Sequence, residues 1–154
     1  MSFDTPNGTR GARQPDGLFM RWMNGFAANR VARKGRMTGL KFDALVLTTI
    51  GGKSGKQRRS PLGWFPGDDG SWLVVAAAAG APKNPGWYYN LRANPDRVEI
   101  ELPGRTIAVT AEQLHGAQRQ EAWQQITTAA PQFAKYQQGT DRELPVIRLT
   151  PKTD

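Results

Sequence analysis

Ala44-Leu45-Val46-Leu47-Thr48-Thr49-Ile50, Gly51-Gly52-Lys53-Ser54-Gly55-Lys56-Gln57-Arg58 and Arg59-Ser60-Pro61-Leu62-Gly63-Trp64-Phe65 follow one another without a break, and their reading decides the fold class. The first run is apolar and β-branched and too short for a helix, so it reads as a buried strand. The last reads as a second strand, with Pro61 pointing to an edge or an irregular position because proline has no N–H to donate. Between Thr49 and Pro61 lie three glycines, four positive side chains and no acid. Glycine lets backbone turn sharply and approach a ligand, and Lys and Arg supply charge and donors for phosphate or carboxylate. Such a loop suits an anionic cofactor better than it suits packing.

Working outward, Pro66 to Gly70 is a turn and Trp72 to Ala78 a third strand, its end shrinking to Ala76-Ala77-Ala78-Ala79-Gly80. Asn84 reads as an N-cap, with Pro85 in the first turn of a helix running to about Asn94. Arg97–Leu102 and Thr106–Leu114 form a hairpin around Pro103-Gly104-Arg105. Gly116 to Ala130 is a helix stopped by Pro131, a second helical piece carries Phe133 and Tyr136, and Leu144–Leu149 closes as a strand. Upstream, Leu18, Phe19, Trp22, Met23, Phe26, Ala27 and Val31 recur at helical spacing from Asp16, ending at Arg33-Lys34-Gly35. That helix either packs on the domain or, being basic, meets a membrane or caps an apolar pocket. The expected division is a flexible tail over 1–15 and a single domain over 16–154. Six strands that do not alternate with helices argue against a doubly wound sheet. They favour a mainly β, α+β protein with an antiparallel, barrel-like sheet and helices outside.

The net charge of +8 is uneven: Gly17 to Pro95 holds twelve Lys or Arg against three acids, the remainder nine against ten. That field would draw an anionic small molecule, an anionic membrane or nucleic acid; no nucleic-acid recognition motif is present, so that partner is not expected. There is no cysteine, the one histidine is His115, and metal ligation is not expected. No apolar run reaches the roughly 18 residues of a spanning helix, and Met1 to Pro15 lacks the apolar core of a signal peptide, so a cytoplasmic location is expected. No Gly-x-Gly-x-x-Gly or P-loop order appears. Glu99 and Glu101 alternate on one strand face and read as solvated residues, not as an acid/base pair. What remains is an anion loop, many aromatics and little acid/base machinery, a set that leaves the hard chemistry to a redox cofactor. The small run Ala76–Gly80 would let a planar ring lie on the strand end; equally, it reads as tight packing.

Thr48-Thr49-Ile50-Gly51 through Ser60-Pro61-Leu62, Lys83-Asn84-Pro85-Gly86-Trp87-Tyr88-Tyr89-Asn90-Leu91 with Ala93-Asn94-Pro95, and Thr140-Asp141-Arg142 with Leu144-Pro145-Val146 resemble the deazaflavin-dependent nitroreductase family, in order from about Phe19 to Pro151. The resemblance implies a split β-barrel like that of the FMN-binding pyridoxamine-phosphate oxidases, and reduced coenzyme F420 (F420H2) as cofactor in preference to FMN. By position, Lys53, Ser54, Arg58, Arg59 and Ser60 would hold the cofactor's phosphate and polyglutamate tail, and Pro61 and Leu62 would lie along it. Ala76, Ala77 and Ala78 would face the ring, and Pro85, Trp87, Tyr88 and Asn90 would complete the wall. Ala77 and Ala78 stand where the family often has Ser and Lys. Of three tyrosine positions over the substrate, two are Ala130 and Phe133 here and Tyr136 remains. The substrate pocket is therefore expected to be apolar, built with Phe133, Tyr136 and Trp22. The implied activity is hydride transfer from F420H2 to a quinone, an activated double bond such as an enone, or a nitro acceptor, with Tyr136 as proton donor or stacking wall. The alternatives are a quinone reductase docked on the inner face of an anionic membrane through residues 17–34, and a non-catalytic carrier of the cofactor or of a hydrophobic ligand.

Overall fold

β1 (Ala44–Ile50) is buried from Ala44 to Thr49, because both its faces are covered. A computed structural model describes residues 3–11, 27–36 and 42–152. Seven strands form one antiparallel sheet among them. The others are β2 (Gln57–Gly63), β3 (Phe65–Pro66), β4 (Trp72–Val75), β5 (Val98–Leu102), β6 (Arg105–Gln113) and β7 (Val146–Pro151), in the order β2-β1-β5-β6-β7-β4-β3. β2 and β3 are the two ends of that order, yet only Trp64 separates them in the chain. Consecutive Cα atoms are about 3.8 Å apart, so the sheet must curl until its ends meet at Trp64, whose N–H bonds Asp43 O at 2.9 Å. This is the expected split barrel. Pro61 lies on edge strand β2, as read, and the short β3 raises the expected six strands to seven.

Strand alternation divides the sheet into two faces. Leu45, Leu47, Ile100, Val109, Leu149 and Val74 fill the inside together with Trp87, Tyr88 and Leu91 of α2 (Gly86–Ala93). On the other face, Phe65, Leu73, Val75 and Val146 pack with α3 (Gly116–Ala129) and α4 (Gln132–Gln138). The described part of the upstream helix, α1 (27–34), buries Ala28 and Val31 on Ala44 and Val46 of that same outer face. It ends where expected, at Gly35 with φ 70°, whose N–H bonds Val31 O. Its packing on the domain is the first of the two readings above. Leu18, Phe19, Trp22, Met23 and Phe26 lie outside the described residues.

Residues 3–11 differ from the tail the sequence suggested: they form a strap. Phe3 is buried edge-on against Tyr88 at 5.6 Å. The Thr5 N–H donates to Tyr88 Oη (3.0 Å), Tyr88 Oη donates to Gln113 Oε1 (2.6 Å), and Gln113 Nε2 donates to Thr5 Oγ1 (2.7 Å). Gly8 and Gly11 allow the close approach: a Cβ on Gly11 would lie 2.3 Å from Gly80 O, and one on Gly8 2.4 Å from Asp141 Oδ1. Asp141 accepts from the Thr9 hydroxyl and from the N–H groups of Thr9 and Arg10. The Thr9 hydroxyl first, and then the backbone N–H groups, bring its carboxyl down to about 2.

A carboxylate depressed in this way contributes above its unfolded value, about 3.9, and ceases to as pH falls through the folded value. The Thr9 and Arg10 amides are accordingly expected to lose exchange protection as pH falls from about 4 to about 2, and Asp141→Asn to show the loss at neutral pH. Equal protection in the two proteins would refute the anchor.

Candidate cofactor site

The glycine loop is a tight turn closed by Gly51 N–H to Lys56 O (2.8 Å) and Gly55 N–H to Gly51 O (2.9 Å). Ser54 Oγ accepts from the Lys56 N–H at 3.2 Å, which gives that hydroxyl a role in the turn itself. Lys53, Lys56 and Arg58 are exposed, and none pairs with an acid among the described residues. The turn sits at the C-terminal half of α2. Asn90 Nδ2 donates to Thr49 Oγ1 (3.1 Å), Asn94 Nδ2 donates to Ile50 O (3.3 Å), and a Cβ on Gly52 would touch Ala93 Cβ at 3.0 Å.

The structure does not bring all of the residues read for the cofactor tail together. Register places Arg58 opposite Thr49, Ser60 opposite Leu47 and Leu62 opposite Leu45, so these three share the inner, α2-side face. Arg59 and Pro61 pair with Thr48 and Val46 and point to the outer face. There Arg59 donates to Asn29 Oδ1 of α1 (2.7 Å) and to Glu101 Oε2 of β5 (2.6 Å). Arg59 thus ties α1 to the sheet, and Glu101, read as solvated, is its partner. The reading could not separate Arg58 from Arg59, because adjacent strand residues look alike until their faces are assigned.

At the other end of α2 the small run leaves the strand earlier than read: β4 stops at Val75. Ala78 (φ 48°), Ala79 (φ 53°) and Gly80 (φ 82°) form a left-handed turn. Each alanine there costs about 1–2 kcal/mol in Cβ crowding, and such strain persists only where the surroundings over-determine it. Ala76 faces the inner core and Ala77 the outer cluster. Arg142, 2% exposed, binds the segment from beneath. Its Nε donates to Ala81 O (3.0 Å), Nη1 to Ala76 O (2.9 Å) and Asn84 Oδ1 (2.6 Å), and Nη2 to Ala77 O (2.8 Å). Burial pushes this guanidinium below its ordinary value. Asn84 is therefore not the N-cap that was read; Pro85 occupies that position without a side-chain cap. Tyr88 is fully buried, and burial is the main cause that raises its hydroxyl. It and Trp87 belong to the core cluster behind the segment, whereas Pro85 and Asn90 keep partial exposure.

α4 packs on the left-handed turn, and a Cβ on Gly80 would lie 2.9 Å from Tyr136 O. Phe133 and Tyr136 meet edge-on at 5.7 Å, and Phe133 continues to Phe42 (6.1 Å) and Phe65 (5.9 Å). Phe133 and Tyr136 are thus brought together, with the Tyr136 backbone against the turn; Trp22 lies outside the described residues. Sequence reasoning missed Arg142 and the strap. The Thr140-Asp141-Arg142 block was visible, but nothing local marks an arginine whose partners are carbonyls some 60 residues upstream.

An eight-residue helix is about 12 Å long, so α2 separates an acid-free basic loop at one end from a small-residue turn beside aromatics at the other. That donor set fits a planar ring with an anionic tail, carried on a split barrel. A family model described as F420H(2)-dependent quinone reductase matches residues 20–151. An F420H(2)-dependent quinone reductase of Mycobacterium tuberculosis H37Rv is 38% identical over 110 residues, 70% of this chain and 72% of that protein. The solved structure of FDR-A, an F420-H2 dependent reductase, is 36% identical with a TM-score of 0.62, covering 72% of this chain and 99% of that one. A chain solved as a domain-swapped dimer is 33% identical with a TM-score of 0.64, covering 86% and 99%. The chain belongs to the F420H(2)-dependent quinone reductase family, and the cofactor of that family is the one the resemblance implied.

Proposed function

We propose that the protein transfers hydride from F420H2 to a quinone. The carrying observation is the pair of features at the two ends of α2: Lys53 and Arg58 in an acid-free loop, and the small turn Ala76–Gly80 against Phe133 and Tyr136. Reduced deazaflavin, when bound, supplies hydride from C5. Lys53, Arg58 and Ser60 hold the anionic tail, and Leu62 and Asn90 border it. Of the small run it is the partly exposed Ala78 and the exposed Ala79, not the buried Ala76 and Ala77, that leave room for the ring. The aromatic cluster around Phe133 keeps water from the acceptor. Tyr136 is half-buried, and its hydroxyl has no hydrogen-bond partner among the described residues, so it is available to give a proton to the reduced oxygen. Enones and nitro compounds are the other acceptors of this reading.

Anaerobic titration with F420 against tryptophan fluorescence, with FMN in parallel, tests it. Tight F420 and weak FMN binding support it; the reverse would overturn the cofactor, and F420 binding without turnover on any quinone would make the protein a carrier. Tyr136→Phe is expected to lower kcat about 10²-fold, at the low end of general acid catalysis, with KM for F420H2 unchanged. An unchanged kcat would remove the proton-donor role.

A second reading, contact with an anionic membrane, is favoured by one observation. Arg30, Arg33, Lys34 and Arg36 are exposed, while Ala28 and Val31 face the sheet. Among the described residues no helix is long and apolar enough to cross a membrane, so contact through this part of the chain would be electrostatic. Co-sedimentation with phosphatidylserine vesicles at low salt, released at about one-molar salt where screening is nearly complete, is the expected result. No sedimentation at low salt would refute it.

A further inference from the structure

We propose that Arg142 is a positioning residue for the cofactor: its guanidinium gathers Ala76 O, Ala77 O, Ala81 O and Asn84 Oδ1, and so fixes the left-handed turn Ala78–Gly80 beside which the ring is held. The inference rests on the reading of the small left-handed turn Ala78–Gly80 as the ring platform. Buried charges ordinarily pair with an acid, and Arg142 pairs with none among the described residues. Space alone could be filled by an apolar side chain without desolvating a charge. Only a guanidinium offers several donors in one rigid plane, enough to collect carbonyls from both sides of a turn.

The amide of Asn84 is itself oriented, because its Nδ2 donates to Thr5 O (3.1 Å) and leaves Oδ1 for Arg142. The turn's own bonds, Gly80 N–H to Ala77 O and Ala81 N–H to Ala78 O, are single short-range contacts. Two alanines at positive φ carry strain that the surrounding contacts offset. The strap closes the far side through Gly8 N–H to Pro82 O at 2.7 Å, and Ala76 N–H is held by Pro145 O at 2.9 Å. Arg142 bonds carbonyls on both sides of the turn, Ala76 and Ala77 before it and Ala81 after it.

The test uses the full chain as wild type, Arg142→Lys, Arg142→Gln and Asn84→Ala, with Val31→Ala as a variant destabilised at α1, away from the turn. Three quantities are read: thermal midpoint, amide exchange at Ala77–Ala81 in the cofactor-free protein, and the F420 dissociation constant. Steady-state kinetics with F420H2 and menadione separate KM from kcat. Losing hydrogen bonds from a charged group should speed exchange and weaken F420 binding about tenfold or more in both Arg142 variants, and about threefold in Asn84→Ala. KM for F420H2 should rise more than kcat falls. Val31→Ala should lower the midpoint and move neither quantity. Lysine keeps the charge and loses the fork, so wild-type behaviour of Arg142→Lys would overturn the proposal. Faster exchange with unchanged F420 affinity would overturn it too, leaving the cofactor reading intact. If the Arg142 variants do not fold, Asn84→Ala decides alone. Failure of the wild-type protein to bind F420 would remove the cofactor reading and the proposal with it.

Discussion

Lys53→Ala and Arg58→Ala are each expected to weaken F420 binding about tenfold, and the double variant about a hundredfold. A hydrogen bond to an ionised partner is worth about 1.5–3 kcal/mol, and solvent screening of these exposed side chains trims that to about 1.4 kcal/mol each. The loss should shrink as salt rises, since screening removes from the wild type what the substitutions remove outright. Arg59→Ala is the decisive contrast. Its side chain lies on the opposite face of β2, bonded to Asn29 and Glu101, so it should loosen α1 and change F420 affinity by no more than about twofold (about 0.4 kcal/mol). Fluorescence titration at two salt concentrations reads the wild type and all four variants. Equal losses for Arg58→Ala and Arg59→Ala would mean that the face assignment does not govern the site.

Ile100→Ala is expected to cost about 2–5 kcal/mol of stability. Ile100 is fully buried at the middle of a cross-strand row, opposite Leu47 on β1 and Ile107 on β6. Its truncation empties the inner face where three strands meet, and neighbours fixed in a sheet cannot collapse into the gap. At about 2–4 °C per kcal/mol for a chain of this size, the thermal midpoint should fall by roughly 10 °C. A fall below about 2 °C, under 1 kcal/mol on the same scale, would show that the barrel interior is not closely packed at this point.

Most strands were legible because their signal is local. Ala44–Ile50 has the bounds read for it, and the Val98–Leu102 and Arg105–Gln113 hairpin differs from the reading by a residue or so at each end. The glycine loop was legible because its charge and missing acids lie within thirteen residues. Asn84 misled the reading for an equally physical reason. Asn before Pro favours a cap by its local chemistry, but a buried guanidinium competes for the same oxygen.

By itself, then, the sequence determined the antiparallel barrel class, the end of α1 at Gly35 and the basic loop, since each follows from local patterns along the chain. Only the tertiary structure decided that Arg58 and Arg59 serve different faces, that residues 3–11 form a strap, and that Arg142 holds Ala76, Ala77 and Ala81. These depend on which side of a pleated strand faces the core, and on hydrogen bonds between groups 60 to 130 residues apart. No local pattern encodes such separations; burial of the whole sheet does, by driving most enclosed polar groups to find a partner.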